Sequence, residues 1–208
     1  YRMPSHTLRT IASCILFLGA GVCAPGALAQ KSPSGAATPD SIAIGYYPTG
    51  EMQSSTPYRN GLRDGLATSF YKSRKKMGVT TFKAGVKVGT EIGFYESGKK
   101  KYEAPYKAGE QDGMSVIYYE SGKVKAKIPY RRGVKDGAEI SYFENGRKQA
   151  EITVRSGLKN GLASTWYDDG KKESEFLFKA DKLDGLSKFW DRGGVMQTKM
   201  WKKGKEVK

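Results

Sequence analysis

Acidic side chains recur at fixed intervals in this chain. Asp64, Asp112, Asp136 and Asp184 each stand one residue ahead of a glycine, and Glu96, Glu120, Glu144 and Asp168 form a second series. Paired carboxylates can do general acid–base work. If the intervals reflect neighbouring hairpins, equivalent acids lie about 9 to 10 Å apart, near the upper end of the carboxyl separation of inverting glycosidases. Against catalysis, a repeated acid marks no unique site, and Asp before Gly is ordinary turn chemistry. A Ser–Lys dyad needs a desolvated lysine, and these lysines read as exposed. The glycines precede no helix, so they form turns and not a phosphate loop. The expectation is no catalytic residue, no metal and no cofactor.

The basic residues form a more informative series. Lys75 and Lys76, then Lys99, Lys100 and Lys101, then Lys123, Lys125 and Lys127, then Arg147 and Lys148, and finally Lys171 and Lys172 follow successive turns. Repetition stacks them into a ladder in a chain of net charge +15, with 36 Lys and Arg against 21 Asp and Glu. Stacked like charges repel, and an anionic partner relieves that repulsion. The competing reading is a solvated face whose lysines protect a sheet edge, with Glu103, Glu151, Glu173 and Glu175 offsetting part of the charge.

The first 29 residues read as an export signal. Arg2, His6 and Arg9 precede an apolar run at residues 11–23, and Ala27-Leu28-Ala29 supplies the small-residue cleavage pattern. The run is short for a membrane span; a retained N-terminal anchor is the alternative. Cleavage before Gln30 removes His6, Cys14 and Cys23, the only histidine and cysteines, and leaves 34 basic residues, 36 less Arg2 and Arg9. Zinc sites of the usual Cys/His kind, Cys–His nucleophiles and Ser–His–Asp triads then have no residues to build them. Residues 30–40 are small, polar and proline-containing, and read as a flexible linker. The expected location is the periplasm or the medium, at the cell envelope.

Beyond the linker the chain repeats every 24 residues. Tyr46, Phe70, Phe94, Tyr118, Tyr142, Trp166 and Trp190 keep step, as do Tyr47, Tyr71, Tyr95, Tyr119, Phe143 and Tyr167. Glycines recur at 50, 98, 122, 146, 170 and 194, with Arg74 in the missing slot. Residues 41–208 hold seven units, the last degenerate because Trp201 and Gly204 arrive one place early. Each unit has two turns, one at Asn145-Gly146 and its equivalents, the other between glycines four apart, such as Gly133 and Gly137. The runs between them have strand length. Alternation places Met114, Val116 and Tyr118 on one face together with Val124, Ala126, Ile128 and Tyr130, and lysines on the other. The first aromatic series is then core or an apolar groove. Pro57, Pro105 and Pro129 share a slot at which the sheet should be bulged or unpaired.

The pattern Tyr118-Tyr119-Glu120-Ser121-Gly122-Lys123, followed by Tyr130 and by Gly133 to Gly137, resembles the MORN-repeat superfamily, specifically the bacterial variant repeat of YwqK-type antitoxin proteins. The resemblance covers residues 41–204. It implies an all-β, elongated, single-layer antiparallel sheet of tandem hairpins with a binding or scaffolding role. The expected partner is an anionic lipid or envelope glycan on the basic stripe. A protein bound at the aromatic groove or an exposed sheet edge is the alternative; export argues against nucleic acid.

Overall fold

The computed structural model describes residues 40–207. The expected signal peptide, and the linker up to Pro39, lie outside them. Among the described residues there is no helix. Nineteen strands, counting two-residue segments, form one antiparallel sheet in which outgoing and return strands alternate, each two-residue segment pairing with the return strand before it. The first strand, Ser41–Tyr46, pairs with Met52–Arg59. The meander then continues through alternating outgoing strands, such as Gly113–Tyr118, and return strands, such as Val124–Arg131.

The two turns alternate along the meander, so they gather on opposite edges of the ribbon, and they differ in kind. At one edge a three-residue loop closes a type I turn: the amide of Gly122 donates to the Tyr119 carbonyl at 2.9 Å, and the Tyr119 amide to the Lys123 carbonyl at 2.8 Å. The residue at the glycine slot takes positive φ, 91° at Gly122, and a bulge follows in the return strand, between Val124 and Ala126. At the other edge the reversal takes only two residues, both left-handed. Asn60 and Gly61 have φ of 49° and 74°, Arg132 and Gly133 of 48° and 76°. This corrects the expected loop between glycines four apart: the turn is complete by the first glycine, and the second, such as Gly137, already opens the outgoing strand.

The bulge also corrects the expected faces. It adds one residue to the return strand, so positions of opposite parity meet across the ladder. Val116 stands opposite Lys127, and Ser115 opposite Ile128. One face, the core face, therefore carries Ala104, Ala126, Ile128, Ala150, Ile152, Val154, Phe176 and Phe178, all buried. The other, outer face mixes Val116, Ile140 and the first aromatic series with Glu103, Lys127 and Glu151. In the last hairpin no bulge is present, and Gly185 pairs with Trp201. The residue missing from the degenerate unit is thus the bulge residue, and its loss brings Trp201 onto the buried face, where it is 8% exposed.

The proline slot follows from the same geometry. The carbonyls of Pro57, Pro105 and Pro129 accept from the amides of Asp64, Asp112 and Asp136 at 3.0, 3.0 and 3.1 Å. A residue's N–H and C=O point to the same side of a strand, so the absent proline donor faces this irregular stretch. There Tyr130 pairs with Lys135 but Lys127 with Ile140, leaving two residues opposite four. The sheet is bulged there, and proline removes no regular ladder bond. The facing glycine is required: Gly137 has φ of +131°, and a Cβ on it would come within 2.8 Å of Pro129 Cγ.

The core thickens along the chain. One core-face slot holds, in order, Thr56, Thr80, Ala104, Ile128, Ile152 and Phe176, and Phe176 also packs edge-on against Phe189 at 5.3 Å. The hairpins up to Lys172–Lys179 thus bury progressively larger apolar side chains, whereas in the last return strand, Met196–Lys202, only Trp201 is buried.

Arg74 occupies the glycine slot with φ of 66°. Arg74→Gly should raise stability by about 1 kcal/mol by removing left-handed strain, whereas Gly137→Ala should lower it by about 2 kcal/mol. Urea midpoints of the two variants check both signs.

Candidate functional site: the three-residue-turn edge

The three-residue turns line one edge, and a repeated contact binds each to the next. The second aromatic of each unit donates its hydroxyl to the backbone carbonyl of the first aromatic one unit on. Tyr47 bonds Phe70 at 2.8 Å, Tyr71 bonds Phe94 at 2.7 Å, Tyr95 bonds Tyr118 at 2.7 Å, Tyr119 bonds Tyr142 at 2.7 Å and Tyr167 bonds Trp190 at 2.8 Å. Phe143 has no hydroxyl. There the Asn145 amide and the Arg147 guanidinium donate instead to the Asp168 carbonyl, at 2.8 and 3.0 Å. On the opposite edge the turn amide of Gly133 donates to the Gln111 carbonyl at 2.8 Å, and that of Gly157 to Lys135 at 2.9 Å. Both edges are laced from unit to unit.

The basic stripe lies on and beside the three-residue-turn edge, and its members do not share one environment. Lys75, Lys99, Lys123, Arg147 and Lys171 each follow the glycine-slot residue and are exposed. Antiparallel pairing sets them about 9 to 10 Å apart, two strand spacings. Lys101 and Lys125 are the bulge residues, and their ammonium groups lie over the rings of Tyr95 and Tyr119 at 5.6 and 5.4 Å. Lys76 is exposed, and Lys127 is half-buried between Val116 and Ile140. Among the described residues Lys99, Lys101, Lys123, Lys125 and Lys127 form no ion pair.

Lys100, Lys148 and Lys172 are different. They turn onto the outer face and pair with the acid three residues on, Lys100 with Glu103 at 2.6 Å, Lys148 with Glu151 at 2.6 Å, and Lys172 with Glu175. Lys148 and Lys172 also cover Trp166 and Trp190, at 5.1 and 5.8 Å. The sequence hid this split because it depends on the bulge. Residue 100 comes before it and residue 101 occupies it, so adjacent lysines part to different surroundings.

Of the first aromatic series, Tyr46 is exposed and Phe70, Phe94, Tyr118, Tyr142, Trp166 and Trp190 are half-buried, all on the outer face. They stand beside the ion pairs. Tyr118 donates its hydroxyl to Glu103 at 2.7 Å; that bond, then burial, pushes its ionisation up to about 12. Glu103 in turn is held below the usual carboxylate range, first by Lys100 and then by Tyr118. On the core face Tyr102 donates to Glu91 at 2.9 Å, and burial with that acid raises its pKa.

The recurrent acids serve the fold. Asp64, Asp112 and Asp184 accept from the turn amides of Ala84, Arg132 and Lys203 in the following unit, at 3.1, 3.3 and 3.3 Å. The turn role follows from the residue types, but the partner does not, because it stands about 20 residues away. Glu96, Glu120 and Glu144 sit exposed in the three-residue turns. The hydroxyls of Ser115 and Ser187 are buried without a partner, yet Ser115 faces Ile128 across the ladder and has no lysine opposite to activate it.

Three segments, residues 87–108, 111–132 and 159–180, match the model of the MORN repeat variant. Each spans an outgoing strand, the three-residue turn with its cations, and the return strand. No curated protein matches the chain.

Tyr95→Phe should lower stability by about 1 kcal/mol, and Phe143→Tyr, which offers a hydroxyl at the vacant step, should raise it; thermal unfolding reads both. Because Tyr118 ionises higher when folded, its contribution is complete below the ordinary value of 10.0 and is lost as pH climbs towards about 12. Tyr118→Phe should flatten that part of the alkaline stability profile.

Proposed function

We propose that this chain, whose hairpins include MORN-type repeats, is an exported, non-catalytic binding module that meets anionic lipid or glycan at the cell envelope. Repeats of this kind support a binding role. The observation that carries the proposal is the single-file row of exposed cations at Lys75, Lys99, Lys123, Arg147 and Lys171. The bulge lysines Lys101 and Lys125 widen it at its centre. Each contact is weak, about 1 kcal/mol for a basic residue at an anionic surface, and the repeat adds them into avidity. Lys100, Lys148 and Lys172 are compensated by their own acids and contribute little.

A second reading is a protein partner on the outer face, in the manner of an antitoxin or immunity module. Leu66, Met114, Leu162 and Leu186 recur there in one exposed slot beside the aromatic series. Such a partner would be held chiefly by apolar burial and would survive high salt.

Sedimentation with anionic vesicles and with an acidic glycan, each against a neutral counterpart, separates these readings. Replacing Lys99, Lys101, Lys123, Lys125 and Lys127 together by Gln should weaken salt-sensitive binding about a hundredfold or more, and Lys100→Gln should change it little. Unchanged binding in the fivefold variant would overturn the cation-row reading.

A further inference from the structure

The two ends of the sheet are finished differently. From Gly65–Phe70 through Gly185–Trp190, every outgoing strand has a hydrogen-bonded neighbour on each side, but among the described residues Ser41–Tyr46 pairs only with Met52–Arg59. Its other edge presents backbone groups that no described residue pairs. Ile44 is 46% exposed, whereas Thr68, Ile92, Val116 and Ile140 in the equivalent slot are half-buried between two flanking strands. The strand reads Ser-Ile-Ala-Ile-Gly-Tyr, with no charge and no proline. At the far end the last strand, Lys205–Val207, is three residues long and charged, and Glu206 is tied to Lys199 at 3.0 Å. Short, charged edges resist pairing, and long, neutral, apolar edges invite it.

The direction of the strands selects the occupant. Ser41–Tyr46 and Lys205–Val207 are both outgoing strands, so stacking copies head to tail would set them parallel and break the antiparallel ladder. A two-fold axis normal to the sheet sets two copies of Ser41–Tyr46 antiparallel, in the pattern that every other strand follows. The charge agrees. In a chain of net +15, a seam between copies is least opposed where neither side carries a lysine. The nearest acid and base, Asp40 and Arg59, already pair with each other at 3.6 Å.

We propose that the chain forms a two-fold dimer by antiparallel pairing of Ser41–Tyr46 with the same strand of a second copy. Centred on Ala43, this register sets Ile42 of one copy opposite Ile44 of the other on the outer face, a β-branched cross-strand pair repeated on both sides of the axis. The core faces of the two copies become continuous, while their rows of edge cations lie on opposite edges of the joined sheet. The pairing does not depend on what those cations bind.

Light scattering of the full chain after gel filtration should give twice the 22.9 kDa of one copy. Replacing Ile42 and Ile44 together by Lys sets like charges across the axis and should raise the dimer dissociation constant about a hundredfold. Val207→Lys at the guarded end should leave the dimer intact. Should the double-lysine variant fail to fold, a spin label attached through Ala43→Cys, with Cys14→Ser and Cys23→Ser, decides the matter: the proposal requires one short distance between labels of the two copies. A monomer at every concentration overturns it. So does a dimer indifferent to the lysines, or one whose labels lie far apart.

Discussion

A sheet one layer thick has no second layer to cover it, so every hairpin must be held by the hairpins before and after it. That constraint explains the contacts that repeat. Tyrosine hydroxyls reach carbonyls 23 residues on, turn amides on the opposite edge reach carbonyls 22 residues back, and aspartates clamp the following turn. Each contact is a modest hydrogen bond of about 1 kcal/mol. Their sum is large because it recurs along the chain, and because side chains such as Ile128, Ile152 and Phe176 pack on the same face. Where one contact is lost, as at Phe143, other side chains in the same turn make a bond to the next unit.

Much of this architecture was legible in the sequence. The period, the strand lengths and the two turns per unit follow from glycines and aromatics in phase. The faces did not follow, since strict alternation assumes a regular ladder and the bulge after each three-residue turn shifts the return strand by one. The bulge leaves no residue signature of its own: Gln53, Met77, Lys101, Lys125, Gln149 and Glu173 all occupy it. The clearest trace is the degenerate last unit, where its loss coincides with Trp201 arriving one place early.

The same shift decides which lysines are available. In sequence, Lys99, Lys100 and Lys101 form one cluster. In the fold Lys99 projects from the turn, Lys100 pairs with Glu103, and Lys101 lies over Tyr95. The acids of the outer face neutralise one lysine per unit where they occur and leave the edge row uncompensated. In the Asp-before-Gly series, which on spacing alone could pass for paired catalytic carboxylates, Asp64, Asp112 and Asp184 hold backbone amides and Asp136 lies 4.0 Å from the Arg131 guanidinium.

Sites related by repetition should be interchangeable in effect, which no unique reactive centre would allow. The direct test replaces Lys75, Lys99 and Lys123 by Gln one at a time and measures sedimentation with anionic vesicles. Comparable, modest losses at each position are predicted, with the salt dependence reduced by a similar step each time. Loss concentrated at one position, with the others silent, would contradict the account.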